Sequence, residues 1–443
     1  MSDPDLWPRV VPRAEHTLSR SGISESALKV LNRLQREGFI AYLVGGAVRD
    51  LLLGRRPKDF DLGTDARPQQ IRKLFRNARL IGRRFRLAHI LFYDEVVEVA
   101  TFRSLPGAPG TDEGTGAGVP APAAGAGEYG SPSDDAWRRD FTVNGLFYDI
   151  ATFAVIDHIG GLADLDAGLI RSIGPAAERF VEDPVRMLRA VEYAARLGFR
   201  IEDETAQAIM ALGAEVRRAA PARVTYELGE SLKTGSASAI FSGLEEYGLL
   251  SHIAPEAHAA LAQGGDGLLP GLLAALDEAV RAGRPVTEEA MFGVLHLPAL
   301  LGTIVPDGQP AAGTMPIEQA VRGYLDTPSA RLGLSNHRTH ILRYAFLLLA
   351  RILAPQTNRG VVRAIRNEAF PTAWQLAQFL GQATGRFGGE LEYWRQAIAR
   401  VEAGGQPDPE PAMAAGPTGR RRRRHRGGRG RGRGPRTPPA GGT

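Results

Sequence analysis

The chain contains no cysteine among its 443 residues. Disulfide frameworks and thiolate metal sites are thereby excluded, and any catalysis must rest on carboxylates, hydroxyls, histidine, lysine or arginine. Long apolar runs are missing as well. The opening residues "MSDPDLWPRVVPRAEH" lack the apolar core of a signal peptide, and the stretch "YAFLLLARILA" at 344–354 is short and broken by Arg351. A cytoplasmic protein with no membrane partner is expected. No internal repeat is found.

Acid is scarce in one region above all. Residues 420–436 hold ten arginines, Arg421, Arg422 and Arg423 among them, and no acid follows. Without those ten the chain carries 44 basic residues against 49 acidic, so the formal net charge of +5 is a property of the tail. An Arg/Gly tail cannot pack a core; it is expected to be disordered and to bind a polyanion such as RNA through counterion release.

What remains is ample for a folded protein. The length and a hydrophobic content of 43% suggest two to three domains. Residues 104–133 are rich in Gly, Ala and Pro and read as a flexible insertion in a surface loop, whereas 167–400 is mostly helical in pattern. The first part differs. "SESALKVLNRLQREG" places Ala27, Leu31 and Leu34 on one helical face, "FIAYLV" reads as a buried strand, and Gly45 and Gly46 turn into a short helix closed by Gly54. The strand "DFDL", a helix from Pro68 and the strands "AHILFYD" and "VVEVATF" complete a small mixed sheet with helices against it.

In a strand, Asp59 and Asp61 point to the same face while Phe60 and Leu62 turn into the core. Two carboxylates that close destabilise each other unless a cation joins them. With oxygen ligands only, Mg2+ or Mn2+ is the expectation, and Glu98, alternating with Val97 and Val99, would complete a three-carboxylate site. The glycines would let backbone N–H groups approach phosphates with no Cβ in the way. Together these pieces describe a phosphoryl-transfer site.

Two further stretches can be read in two ways. In "WRRDFTVNGLFYD", Arg138 and Arg139 would pair phosphate oxygens, while Asp140 either caps a helix running through Asn144 or serves a ribose hydroxyl or the metal site. In "EDPVRMLR", Asp183 stands where an N-cap belongs and Pro184 at the first helical position, with Arg186 and Arg189 following along one side. The segment "IRKLFRNARLIGRRFR" carries seven basic residues, including Arg83 and Arg84, and no acid; it is either a solvated face or a guide for RNA. His89 and His158 read as isolated structural residues.

The motifs "LVGGAVRDLLLG", "KDFDLGT", "VEVATFR", "RRDFTVNGLFYD", "DHIGGLADL" and "EDPVRMLRAVEYAARLGF" occur in an order that resembles the bacterial poly(A) polymerase and CCA-adding tRNA nucleotidyltransferase family, over roughly residues 38–250. The resemblance implies an α+β, polymerase beta-like nucleotidyltransferase head on a mixed sheet, followed by all-α neck and body domains. On that plan residues 1–22 are an extension, 23–166 the head, 167–260 the neck, 261–402 the body and 403–443 the tail. It implies that Asp59 and Asp61 bind the catalytic metal with Asp140 and Glu98 assisting, and that Gly45, Gly46, Arg49, Arg139, Asp183, Arg186 and Arg189 hold the nucleotide, Asp183 and Arg186 at its base edge. Arg83, Arg84 and Arg421–Arg423 are the expected RNA contacts.

The match "RKLFRNARLIGRRFRLAHILF" and the arginine-rich C-terminus are more similar to the poly(A) branch. The activity this implies is template-independent addition of AMP from ATP to RNA 3′ ends by a monomer. CCA addition to tRNA with CTP and ATP is the alternative, and an inactive RNA-binding scaffold a further one. One departure is Glu192, where the resemblance implies another arginine.

Overall fold

A computed structural model of the chain describes residues 8–82, 87–104, 129–262, 267–306, 314–354 and 360–404. Helix α1 (Glu25–Arg36) forms where the periodicity predicts it: the Ser24 hydroxyl accepts from the Ala27 N–H, and Ala27, Leu31 and Leu34 are fully buried. Strand β2 (Ala41–Val44) follows β1 (Arg9–Val11), and Gly45 turns the chain into α2 (Gly46–Leu52). Then come β3 (Asp61–Thr64), α3 (Pro68–Leu74), β4 (Ala78–Ile81), β5 (Leu87–Leu91) and β6 (Val96–Thr101). After α4 (Pro132–Trp137), β7 (Leu146–Asp149) and β8 (Ala154–Asp157) complete a sheet ordered β1-β8-β7-β2-β3-β6-β5-β4. Within this sheet β3 and β6 pair in parallel and the other described neighbours are antiparallel.

Three local expectations are corrected. Strand β3 begins at Asp61, so Asp59 lies before the strand and is not held by its pleat. Asp140 caps no α-helix: Thr142–Asn144 form a single 3-10 turn after Phe141, and the chain then enters β7, where Phe147 and Tyr148 suit a strand. Asp183 follows α6 (Ala176–Glu182) as its C-cap and makes no side-chain cap on α7 (Val185–Leu197), whose N-cap is Pro184. Its carboxylate is engaged elsewhere, as described below.

The motif "DHIGGLADL" builds the fold. Asp157, buried, accepts from the N–H groups of Ile159, Gly160, Gly161 and Leu162 at 2.9–3.1 Å and so starts α5 (Gly161–Asp166). The Thr142 hydroxyl donates to Asp164 at 2.6 Å, tying that helix to the turn behind the site.

Beyond the sheet the chain is mostly helical. Helix α7 buries Val185, Met187, Leu188, Val191 and Leu197, and α9 (Pro221–Leu232), which follows α8 (Asp203–Leu212), buries Val224, Leu228 and Leu232. Their remaining faces carry charge toward the sheet. Longer helices at Leu268–Arg281, Glu288–Ile304, Asn336–Leu353 and Phe370–Thr384 pack together farther along. One continuous apolar core runs from the sheet through these helices. Among the described residues no helix is long and apolar enough to cross a membrane.

Candidate active site

A cleft of about 600 Å³ opens between the ends of β3 and β6, the start of α2, and the polar faces of α7 and α9. Its floor is acidic. Asp61 and Glu98 are register partners on parallel strands, and Asp59 lies just upstream. Water reaches Asp61, yet protein surrounds it. Burial, then the nearby Glu98, with a smaller push from Asp59, raises its carboxyl to about 6 against the pull of Arg139. His89, opposite Glu98 on β5, approaches it at 3.2 Å. Among the described residues no three metal-ligating side chains are gathered tightly enough to hold an ion by themselves.

The wall is basic, and the turn at Gly45 makes room for it. Gly45 has φ +72, and a Cβ there would stand 2.7 Å from Nη1 of Arg139. The Gly45 N–H donates to the Leu146 carbonyl at 2.9 Å, so it is not free for a phosphate; the glycine instead lets the Arg139 guanidinium lie across the turn. That guanidinium is held by Asp135 at 2.9 Å and lies over the Phe147 ring, 5.4 Å from its centroid.

Behind the wall is a buried polar network. Arg49, 2% exposed, donates to Asp50 at 2.8 Å and to the side-chain oxygen Oδ1 of Asn144 at 2.5 Å. Asn144 donates to Asp140 at 2.9 Å, as do the Phe141 N–H at 2.8 Å and Arg189 Nε at 2.8 Å. Burial alone would push the Asp140 carboxyl up. Arg189 and these hydrogen bonds outweigh it, and the net displacement is downward. Arg189 also donates to the Tyr193 hydroxyl and faces Glu227 at 3.7 Å.

At the far end Arg223 of α9 donates to both carboxylate oxygens of Asp183, at 2.8 and 2.9 Å. Arg186 lies beside them, 3.9 Å from Asp183; its Nη2 donates to the Arg138 carbonyl, while its buried Nη1 has no hydrogen-bond partner among the described residues. Burial and the neighbouring Arg179 lower its pKa. Across the cleft mouth Lys58 reaches Glu230 of α9 at 2.7 Å.

Comparison with known proteins reads the same way. Residues 41–171 match the Poly A polymerase head domain, and 198–261 match the probable RNA and SrmB-binding site of polymerase A. Poly(A) polymerase I of Salmonella typhi is 38% identical over 406 residues, which span 90% of this chain and 87% of that protein. The chain belongs to the bacterial poly(A) polymerase family. The CC-adding tRNA nucleotidyltransferase of Halalkalibacterium halodurans is 36% identical over 52% of this chain and 54% of its own. Among solved structures, the Bacillus stearothermophilus CCA-adding enzyme in complex with CTP is similar with a TM-score of 0.60 and 26% identity, covering 84% of this chain and 81% of that one.

In this poly(A) polymerase family member the cleft gathers Gly46, Arg49, Asp59, Asp61, Glu98, Arg139, Asp140, Asp183, Arg186 and Arg189, while Gly45 stands directly behind Arg139. Arg138 does not line it and donates instead to the Ser104 carbonyl at 2.5 Å. Arg83, Arg84 and Arg421–Arg423 lie outside the described residues, as do 105–128 of the expected insertion and 405–443 of the expected tail. Glu192 is buried and pairs with Arg196 at 3.3 Å, burial raising its pKa. Reading the sequence missed Tyr193, Arg196, Arg223, Tyr226, Glu227 and Glu230. The only signal for the last four was the charged, aromatic face of "ARVTYELGES", which acquires meaning once α9 packs on α7. His158 is buried against Phe147, as a structural residue would be; His89 is not isolated.

Proposed function

We propose that the protein is a template-independent polynucleotide adenylyltransferase that adds AMP from ATP to RNA 3′ ends and releases pyrophosphate. The observation that carries this reading is the meeting, in one cleft, of an acidic floor at Asp59, Asp61 and Glu98 with a basic wall at Arg139, Arg186 and Arg189. The 38% identity to a poly(A) polymerase I over nearly the whole chain selects the poly(A) branch.

The floor fits a divalent cation. The negative charge of Glu98 and Asp59 helps push the Asp61 carboxyl up, a cost that a cation relieves, and magnesium is commonly bound by one or two carboxylates together with substrate phosphates. A magnesium or manganese ion held by Asp59 and Asp61, with Glu98 beside them, would supply charge neutralisation at the α-phosphate and its departing pyrophosphate. The chain's own residues do the rest. Arg139, projecting over the Gly45 turn, binds phosphate oxygens; Asp183 and Arg186 meet the base; Asp140 keeps Arg189 charged and pointed into the cleft. The 3′-hydroxyl oxygen bonds to the α-phosphorus as the bond to pyrophosphate breaks, and no covalent enzyme intermediate forms.

The domain plan of head 23–166, neck 167–260 and body 261–402, a cytoplasmic location, a monomeric state and RNA contacts from Arg83, Arg84 and Arg421–Arg423 belong to the same proposal. CCA addition is the second reading, favoured by the CC-adding relative over half the chain. Purified protein is incubated with Mg2+, each nucleoside triphosphate singly and in mixture, and either an unstructured oligomer or a tRNA lacking its CCA end. Long tails from ATP alone on the oligomer are expected. Growth limited to C, C and A on the tRNA would replace this reading with the second.

A further inference from the structure

Helix α9 presents Arg223, Tyr226, Glu227 and Glu230 to the cleft, residues spaced so as to share one helical face. Three of the four are paired: Arg223 with Asp183, Glu227 with Arg189 and Glu230 with Lys58. Tyr226 is the exception. Its side chain is 64% exposed, and it has no ring or hydrogen-bond partner among the described residues. A single exposed aromatic is ordinary on a protein surface. One placed in a charged cleft, between two fixed ion pairs, has a defined neighbourhood.

That neighbourhood separates the two ends of the reaction. One step along α9 toward Arg223 lies the Asp183–Arg186 end, where the incoming base is placed by the reading above. In the other direction Glu230 holds Lys58, the residue next to Asp59, so the tyrosine stands on the side of the acidic floor. The acidic residues near its hydroxyl include Glu98 as well as Glu227 and Glu230, with Lys58 the nearby cation. The whole face falls within 198–261, the segment matching a probable RNA-binding site. A flat ring open to solvent beside the acidic floor suits stacking of a nucleobase, an interaction that tolerates any base because every base has a π-face.

We propose that Tyr226 is the stacking platform for the 3′-terminal base of the RNA acceptor, setting the terminal hydroxyl over Asp59 and Asp61. This rests on the adenylyltransferase reading, and it accounts for how one acceptor site can take both the original 3′ base of an RNA and the adenine just added to it. The aromatic face, not the hydroxyl, does the holding.

The test compares Tyr226→Ala and Tyr226→Phe with the wild type in the full chain, measuring KM for an RNA oligomer, KM for ATP and kcat. Circular dichroism checks the fold, which an exposed side chain should leave intact. Stacking on an aromatic ring implies a rise of about tenfold or more in KM for RNA with Tyr226→Ala, an unchanged KM for ATP, and near-normal values for Tyr226→Phe. A second measurement needs no turnover: an oligomer ending in 2-aminopurine, added without ATP, should have its fluorescence quenched by the wild type and by Tyr226→Phe but not by Tyr226→Ala. Unchanged RNA KM in Tyr226→Ala, a rise in the ATP KM instead, or equal loss in the phenylalanine variant would overturn the proposal. Should the wild type extend no RNA at all, the enzyme reading falls, and the quenching still decides whether Tyr226 stacks a terminal base.

Discussion

Asp61 and Glu98 occupy partner positions on adjacent parallel strands, so two carboxylates share one end of the sheet. Burial and this neighbour hold Asp61 at about 6. Because the folded-state pKa lies above the unfolded one, the stability this group contributes is complete below about pH 4 and lost as pH rises through about 6. In metal-free buffer near neutrality Asp61→Asn should therefore unfold at higher urea than the wild type, by about 1 kcal/mol once solvent screening is allowed for, and the gain should vanish in acid. Activity should fall as pH drops through about 6, and more magnesium should move that limb to lower pH because ion and proton compete. A limb indifferent to magnesium would refute the assignment.

Asp140 is committed to its neighbours in another sense. Its oxygens accept from Arg189, Asn144 and the Phe141 N–H, and Arg189, half-buried at the cleft, is its counter-charge. Asp140→Ala takes away the closer of two carboxylates, leaving Arg189 with Glu227 at 3.7 Å and the Tyr193 hydroxyl, and should cost about 3 kcal/mol in urea unfolding. A double-mutant cycle with Arg189→Leu should return much of the loss, since the less well paired charge is then removed as well. Additive losses would mean that the two residues do not act as a pair.

How far the sequence reveals this arrangement depends on the range of the interactions. Local signals succeed: the apolar spacing of α1, the glycines before α2 and the alternation around Glu98 all find their elements. Signals that need a distant partner fail. Asp140 resembles a cap because its true partners include Arg189, 49 positions away, and Asp183 resembles one because Arg223 is 40 positions away. His89 looks solitary until β5 and β6 pair. The family resemblance supplied Arg49, yet only the folded chain shows it buried behind the cleft.

Gly45 and Gly54 separate backbone strain from crowding. Both have positive φ, but a Cβ on Gly54 would meet nothing within 4 Å, whereas one on Gly45 would meet the Arg139 guanidinium. Alanine at Gly54 should cost about 1 kcal/mol for the positive φ, and at Gly45, with φ +72 and ψ −135, about 1–3 kcal/mol because almost only glycine adopts that backbone. Gly45→Ala must also displace Arg139, so its kcat/KM for ATP should drop about tenfold or more, the value of one good charge-assisted contact. Gly54→Ala should lose less stability and keep wild-type kinetics. Equal kinetics in the two variants would detach Arg139 from phosphate binding.

Tyr193 is surrounded by three guanidinium groups, with Arg49 and Arg189 each 5.1 Å and Arg196 5.4 Å from the ring centroid. A buried aromatic face that close stabilises cations, and the hydroxyl adds an acceptor for Arg189. The same ring therefore gathers positive charge on the cleft's α7 side while Glu192 and Asp140 offset it. Tyr193→Phe keeps the faces and loses one hydrogen bond, which should cost about 1 kcal/mol of stability. Tyr193→Leu loses the faces too and should cost about 3 kcal/mol, with a larger rise in KM for ATP than in the phenylalanine variant. The order of the two variants is the informative result. If leucine and phenylalanine perform alike, packing volume alone explains the residue, and the three arginines are positioned by their carboxylate partners instead.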